Sequence, residues 1–345
     1  MKNWTPDILI SIVLALYPLP TRGQTANTGA IFGSVHDPSG AAVPDAAVLL
    51  KSKATQEERN LTTDAEGAFS ATLLPPGRYD LEIRAAGFAP RVLADVVLQI
   101  TEVTKLTVQL RIAGASEQIA VDASPSGLQT ENATLGRVIG QETIGNLPLV
   151  NRNFTQLLGL TAGTNTDIVD ATQLGSGSQE IRANGARSGD NNFMINGVDA
   201  NSYGVNITEV TSFRAAGLAI PAPDTIQEFK VQNSLYDAQY GRGGGANVDI
   251  ETRSGGSELH GSLYYFALDA NNFFAKATGV PRGEFRRSQP GGTLGGPFPW
   301  STKRAFFFVS YQATRDIAVV KDHDAAVCLP PGQPFVFVSF REQPR

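Results

Sequence analysis

A glycine-rich stretch at 240–246 has the spacing of a phosphate-binding loop. Gly241, Gly243 and Ala246 fit the pattern G-x-G-x-x-A, which in nucleotide-binding folds brings a helix N-terminus to a pyrophosphate. The residues that follow, "NVDIETRS", alternate apolar or β-branched residues with charged ones, and this period of two predicts a half-exposed strand. Because the fingerprint requires a helix after the glycines, we interpret the stretch as a turn in a β protein.

Residues that bind metals or form covalent intermediates are few and scattered. The chain has one cysteine, Cys328, which excludes an internal disulfide and a thiolate metal cluster. His36, His260 and His323 form no i, i+4 pair, so they make no zinc motif. The sequence has no G-x-S-x-G elbow, His-Glu-x-x-His pair or P-loop. We therefore expect no catalytic residues, no metal site and no cofactor.

One cluster of polar residues offers oxygen atoms of the kind that bind calcium. Asp190, Asn191, Asn192 and Asp199 lie within ten positions of each other. Their spacing does not fit the twelve-residue calcium loop, and Asp and Asn are common turn formers. We expect these residues to form turns.

The composition indicates a β-rich protein that does not bind nucleic acid. The 345 residues include 28 Lys and Arg against 33 Asp and Glu, which gives a net charge of −5. Nucleic-acid binding normally needs a basic surface. The 35 glycines and 20 prolines predict many turns between short strands.

The N-terminus has the layout of a secretory signal peptide over residues 1–23. Lys2 precedes an apolar run at 8–17, and Pro18 and Pro20 follow it. The run is too short to cross a bilayer as a helix. We expect cleavage before Gln24 and export of the protein; the alternative is a buried N-terminal helix.

Residues 28–112 predict a compact antiparallel sandwich of about seven strands. Turn signals recur roughly every ten residues, and alternation is clear in "GRYDLEIRAA" and "KLTVQLRI". The segment resembles the carboxypeptidase regulatory-like domain, which implies a non-catalytic, Ig-like sandwich sometimes classed with carbohydrate-binding-like folds. The resemblance is carried by turn residues: Asp64, Gly67, Phe69, Pro76, Gly77, Tyr79, Gly87 and Phe88.

Residues 113–130 have the small, polar composition of a linker. Within them, the run Glu117–Val121 has β propensity and could add as a strand to the sheet edge of another protein. The alternative is an ordinary strand after the linker.

Residues 131–255 predict an α+β domain. Phe154, Leu157 and Leu158 have helical spacing, so we expect a short amphipathic helix at 153–160, stopped by Gly163. Two short strands are expected, around Ile181 and at 193–195. Each ends at a glycine turn, formed by Asn184 and Gly185 and by Asn196 and Gly197.

This segment resembles the plug of TonB-dependent outer-membrane receptors of the Oar-like subfamily, in which a regulatory-like sandwich precedes the plug. The motifs are "LPLVNRNFTQLLGLTAG", "IRANGARSGDNNFMINGVDAN" and "PAPDTIQEFKVQNSLYDAQYGRGGGANVDIETRSGG". The resemblance implies plug-motif turns at the Asn-Gly pairs above and at Gly241 and Gly243. It also implies a TonB box at Glu117, Gln118, Ile119, Ala120 and Val121. Ala120 and Asn196 depart from the usual family residues, which are β-branched and Asp.

The composition of residues 256–345 is typical of membrane strands. The runs "HGSLYYFALD" and "RAFFFVSYQATRD" are rich in aromatics and long enough to cross a bilayer when tilted. "RRSQPGGTLGGPF" between them resembles a family turn. About 90 residues hold roughly three or four strands, so we expect the first strands of an incomplete transmembrane barrel, in an N-terminal receptor fragment that lacks transport by itself. The alternative is a soluble sandwich.

The predicted fold class is mainly β: a sandwich, an α+β plug, and the first strands of a transmembrane β-barrel. The resemblance implies a cell outer membrane location, with sandwich and plug on the periplasmic side. It also implies three partners: a TonB-type energy-transducing protein, outer-membrane lipids and an extracellular ligand such as a carbohydrate or peptide. The alternative function is a secreted or periplasmic binding module built on the sandwich.

Overall fold

We describe a computed structural model of the chain. Its described residues are 27–113, 120–122, 135–147, 149, 152–167, 180–201, 221–236, 240–241, 243–269, 284–299, 305–319 and 335–342. The predicted signal peptide and its cleavage site, and the residues Cys328 and His323, lie outside them.

The N-terminal unit is a sandwich of two sheets. One sheet has the strand order β4-β1-β8, and the other has the order β10-β7-β5-β2-β3, while β6 pairs with β9. The strands are β1 Gly29–His36, β2 Ala47–Ser52, β3 Glu58–Thr62, β4 Ala68–Leu74, β5 Gly77–Arg84, β6 Phe88–Ala89, β7 Arg91–Leu98, β8 Val103–Gln109, β9 Arg111–Ile112 and β10 Ala120–Asp122.

Alternation places the apolar side chains of the sandwich between its two sheets. Tyr79, Leu81 and Ile83 of β5 are buried, and the residues between them are more exposed. A single apolar cluster joins both sheets. Burial of this surface is the main term that stabilises the unit.

Strand β7 lacks the alternation that marks β5 and β8 in the sequence. Its inward residues Leu93 and Val96 are three positions apart, so they break the period of two. The reason is a bulge: Asp95 has φ 62°, and the register with β5 shifts between Tyr79 and Leu81. A bulge places an extra residue in one strand and returns the next side chain to the core.

The second unit contains the plug sheet, whose strand order is β11-β16-β17-β14-β15, and a two-stranded pair of β12 and β13. Its strands are β11 Leu135–Gly140, β12 Thr164–Asp167, β13 Glu180–Ala183, β14 Asn192–Ile195, β15 Val198–Asp199, β16 Ile226–Ser234 and β17 Asn247–Thr252. The helix α1 spans Gln141–Asn146, and 3₁₀ helices span Phe154–Leu160, Ser188–Asp190 and Pro223–Thr225.

The helix predicted at 153–160 is a 3₁₀ helix that begins at Phe154. Asn153 caps it by accepting a hydrogen bond from the backbone N–H of Thr155. It ends at Leu160, before Gly163, which has φ +81°. Among the described residues, no helix is long and apolar enough to cross a membrane.

Strand β17 is buried on both faces, so the predicted half-exposed strand is wrong. Val248 and Ile250 face the plug core, while Asp249, on the opposite face, is 0% exposed. The alternation is present, but its polar side is covered by other parts of the chain. A period of two reports the polarity of each face and says nothing of what covers it.

The third unit is a sheet with the strand order β18-β19-β20-β22, in which β21 also pairs with β19. Its strands are β18 His260–Asp269, β19 Glu284–Pro297, β20 Ala305–Gln312, β21 Arg315–Val319 and β22 Phe335–Glu342. The first predicted strand is confirmed at 260–269, and the second is divided between β20 and β21.

The stretch expected to be a turn between these strands is itself a strand, β19. Its glycines do not interrupt pairing, since Gly291 pairs with both β18 and β20. A Cβ atom at Gly291 would collide with the ring of Tyr264. The glycines therefore make room for aromatic side chains of the neighbouring strand.

Candidate functional site

The predicted TonB box is only partly within the described residues. Glu117, Gln118 and Ile119 lie outside them. Ala120 and Val121 belong to β10, which pairs in parallel with β7 opposite Val92 and Leu93. These two residues thus extend a sheet of the chain's own sandwich, and the TonB box stays a prediction.

The two Asn-Gly pairs form turns that only a few residue types can adopt. Asn196 and Gly197 have φ 50° and 76° and join β14 to β15 as a two-residue hairpin. Asn184 and Gly185 have φ 50° and 78°. The Asn196 side chain also accepts a hydrogen bond from the N–H of Thr252 at 2.9 Å, so this turn is fastened to β17.

The glycine run forms a tight contact within the plug. The N–H of Gly243 donates to the carbonyl of Gly241 at 3.0 Å, and the N–H of Gly245 donates to the carbonyl of Asp190 at 3.0 Å. A Cβ atom at Gly243 would collide with that same carbonyl. The strand β17 follows the run, so no helix N-terminus is present to receive a phosphate.

The four residues considered as calcium ligands bond instead to their own surroundings. Asn191 donates to the carbonyl of Ile181 at 2.8 Å and accepts from the N–H of Ala246 at 2.9 Å. Asp199 accepts from the N–H of Asn201 at 2.8 Å. Within the ranges that the structure describes, no group of His, Cys, Asp and Glu side chains could hold a metal ion.

The plug sheet has one apolar and one polar face, and both are buried. On the apolar face, Ile139, Phe229, Ile250 and Ile195 form a row across β11, β16, β17 and β14. We call the opposite side of β16 and β17 the polar face of the plug; it consists of Glu228, Lys230, Gln232, Asn247, Asp249 and Glu251.

Lys230 and Asp249 lie opposite each other at the centre of the polar face. They are 1% and 0% exposed. Burial raises the pKa of Asp249 to about 6, although the Tyr240 hydroxyl and Lys230 partly offset this. Burial also lowers the pKa of Lys230, against the opposing effect of Asp249. Each charged form is thus less stable there than in water.

The sandwich covers the polar face with the turn at 100–102. The N–H of Ile100 donates to the Glu228 carboxylate at 2.5 Å. Lys230 Nζ donates to the Thr101 hydroxyl at 2.9 Å. Asn27, ahead of β1, donates to Glu251 at 3.2 Å. These contacts join residues more than 120 positions apart and fasten the sandwich to the plug.

Arg152 joins the plug to the first strands of the third unit. It forms an ion pair with Asp224 of the plug and donates to Gln312 of β20 at 3.3 Å. Its guanidinium lies 4.5 Å from the ring centre of Tyr264 and 3.9 Å from that of Phe266. Such cation–π contacts contribute most when shielded from water.

The side of β18, β19 and β20 that faces away from the plug is apolar and exposed. Leu263 is 94% exposed, Tyr265 68%, Leu294 48% and Tyr311 44%. On the inward side Phe308 is 0% exposed. An exposed row of this kind is typical of the lipid-facing side of a membrane strand.

Family models match the chain in three successive segments. They describe a carboxypeptidase regulatory-like domain at residues 30–111, a TonB-dependent receptor plug domain at 130–248 and an outer membrane beta barrel domain at 251–325. A sandwich, a plug and outer-membrane strands therefore follow one another in one chain, which makes it an outer-membrane protein.

The chain is 26% identical over 264 residues to the TonB-dependent transporter Oar of Myxococcus xanthus, which covers 73% of this chain and 23% of that protein. Together with the three domain matches, this similarity shows that the chain carries the successive domains of a TonB-dependent outer-membrane receptor and resembles the Oar transporter. The chain spans about a quarter of the length of this curated relative.

Solved structures resemble the chain more weakly. The outer membrane transporter YddB of Escherichia coli has a TM-score of 0.44 at 13% identity, over 59% of this chain and 30% of that one. The siderophore receptor PirA of Acinetobacter baumannii has a TM-score of 0.38 at 20% identity, over 55% and 26%. Scores this low carry no argument about function.

The sequence did not single out the groups that fasten the three units together. Glu228, Lys230 and Asp249 were visible only as the polar half of an alternating pattern, and Arg152 as one residue of a motif. A usable signal was present, because "QEFKVQN" and "NVDIET" both place charges on one face of neighbouring strands. Pairing them in register would have set these charges opposite each other.

Proposed function

We propose that this chain forms the sandwich, the plug and the first barrel strands of a receptor that takes up an extracellular ligand through a plugged β-barrel. The observation that carries the proposal is the position of the plug. It is fastened to the sandwich through Glu228 and Lys230. Through Arg152 it is fastened to the inward side of strands whose outward side is apolar.

The driving partner in this proposal is a TonB-type protein that binds Glu117–Val121. Recognition by strand addition depends on main-chain hydrogen bonds and makes few demands on sequence. Two residues of the segment, Ala120 and Val121, already form an edge strand, which supports its ability to add to a sheet. On this proposal the sandwich and plug lie on the periplasmic side.

The ligand belongs to a class that the extracellular side of a complete barrel would select, such as a carbohydrate or peptide. The proposed role is transport and includes no reaction chemistry. Catalysis would require a nucleophile and a general base that lie within reach of each other. The charged side chains on the polar face of the plug instead contact one another and the sandwich turn.

The test is to produce the chain in a Gram-negative host and cross-link it from a photoreactive residue at position 119. We expect the protein in the outer-membrane fraction and a cross-link to the host's TonB-type protein. A photoreactive residue at Gln129, in the same linker, is the matched control and should give much less product. A soluble periplasmic protein without the cross-link would favour the binding-module alternative.

A further inference from the structure

Acidic groups are concentrated where the sandwich meets the plug. Glu228 lies directly opposite Glu251 in the paired strands, and Lys230 lies opposite Asp249. Glu102 of the sandwich turn also raises the pKa of Glu228 by repulsion. Four carboxyl groups thus share this interface with one ammonium group. Like charges placed directly opposite each other in a sheet are destabilising.

The sandwich turn that closes on these groups is strained. Thr101 is β-branched and has φ +53°, a conformation that such residues rarely adopt. Strain of this kind persists where surrounding contacts enforce it. Here the contacts are the bond from Lys230 to the Thr101 hydroxyl and the bond from the Ile100 N–H to Glu228.

Glu228 holds a proton more tightly when this turn is closed. Burial is the largest cause, and it raises the pKa to about 7 from an ordinary value of 4.5. The Ile100 N–H and Lys230 act in the opposite direction, while Glu251 and Glu102 add to the increase. When the turn opens, water reaches the carboxyl group and its pKa returns towards the ordinary value.

We propose that the turn at 100–102 stays closed on the plug while Glu228 is protonated. Ionisation of Glu228, directly opposite Glu251, then opens the turn. We call this arrangement the latch. The direction of the pH dependence follows from the linkage between proton binding and closure of the turn. A group whose pKa is higher in the closed state stabilises that state fully below pH 4.5, and the stabilisation is lost as the pH rises through 7. The latch is thus closed in acid and weakened in alkali.

The measurement is hydrogen exchange of the Ile100 amide in the full chain, held in detergent micelles, at pH 5 and pH 8. After correction for the intrinsic exchange rate, we expect the opening equilibrium to rise by on the order of tenfold to a hundredfold at the higher pH. Because this uses the unaltered chain, it needs no variant to fold. Equal protection at both values would overturn the proposal.

Three variants test whether Glu228 is responsible. In Glu228→Gln, whose neutral amide can still accept from Ile100, protection should be high at both pH values. In Glu251→Gln the loss of a like charge should move the midpoint to lower pH. Glu142→Gln changes an exposed carboxyl of the plug and should behave as the unaltered chain. If Glu228→Gln keeps the full pH dependence, another group governs the opening and the latch is refuted.

Discussion

The sandwich and the plug both contain five-stranded sheets, but they bury them differently. In the sandwich, one face of each sheet is apolar and points to the core, and the other face carries pairs such as Lys51 and Glu58 in water. In the plug, the apolar face packs on Phe154 and Leu158, while the opposite face, with Lys230 and Asp249, is covered as well.

This difference separates a sheet whose polar face is solvated by water from a sheet whose polar face is covered by neighbouring parts of the chain. Apart from the bulge in β7, alternation organises the sandwich, because water solvates its outer faces. The polar face of the plug needs partners that replace water for every charge, since an isolated buried charge is costly. Its partners come from the sandwich turn at 100–102, so the two units are coupled.

Phe229→Ala should have the largest effect, and it acts on the apolar face of the plug. The side chain is 0% exposed and packs edge-on against Phe154 with ring centres 5.5 Å apart. We expect a loss of about 3–5 kcal/mol from the plug, measured by hydrogen exchange in β16 and β17. Leu81→Ala is the sandwich counterpart; its loss should appear mainly in exchange of β5 and β7, with a smaller change in the plug, whose polar face the sandwich turn covers.

Lys230→Met tests whether the polar face is held by compensating charges. Removing the ammonium leaves the buried Asp249 carboxyl without its opposite charge. Loss of one partner of a buried pair should lower the free energy of unfolding by about 3 kcal/mol. The double variant Lys230→Met with Asp249→Leu should recover most of this loss in a denaturant titration. If the double variant is less stable than Lys230→Met, the charges are not coupled as we describe.

The two units should respond to pH in opposite directions. The pKa of Asp249 is raised to about 6, so its contribution to plug stability is full below pH 3.8 and is lost as the pH rises through 6. The change is at most about 3 kcal/mol. In the sandwich, the bond from Lys53 lowers the pKa of Asp95, so that contribution is lost as the pH falls.

Exchange in β17 and in β7 at pH 3 and pH 8 measures this contrast, because pH 3 lies below the ordinary pKa of both carboxyl groups. Protection of β17 should be greater at pH 3 and that of β7 greater at pH 8. Asp249→Asn should reduce the dependence in β17, leave the part that the neighbouring Glu228 contributes, and not alter β7. The same direction of change in both strands would refute the opposition between the two units.

The sequence predicted the parts of the fold that depend on local pattern. Strands such as β5 and β18 follow directly from alternation or from an aromatic run, and Asn196 with Gly197 is the strongest short hairpin signal. Strand β7 was not predicted because the bulge at Asp95 moves its side chains out of phase. The glycines of β19 suggested a turn because their role depends on Tyr264 of another strand.

The contacts between units could not be predicted for a related reason. A charged residue in an alternating strand has the same pattern whether water or another domain covers it. Asp249 and Glu82 both alternate with apolar neighbours, yet Asp249 is 0% exposed and Glu82 forms a surface ion pair. The difference arises from contacts that are distant in the chain, such as the bond from the Ile100 N–H to Glu228, which joins residues more than 120 positions apart.

Asn196→Ala should have a smaller effect, confined to the edge of the plug sheet. The residue has φ 50°, which Ala adopts at a cost of about 1–2 kcal/mol, and its side chain contacts Thr252. We expect faster exchange in β14 and β15, measured against Asn196→Gly, which relieves the backbone strain and lacks only the side-chain bonds. Equal exchange in the two variants would mean that the backbone conformation contributes nothing.

Lys51→Ala should have the smallest effect, and the size of that effect separates the two kinds of face. Lys51 and Glu58 form an ion pair of 3.1 Å across β2 and β3, with both side chains substantially exposed. Water solvates either charge when its partner is removed, so we expect a loss below about 1 kcal/mol, reduced further by salt. A loss in the sandwich as large as that of Lys230→Met in the plug would show that burial does not set the energy of these charges.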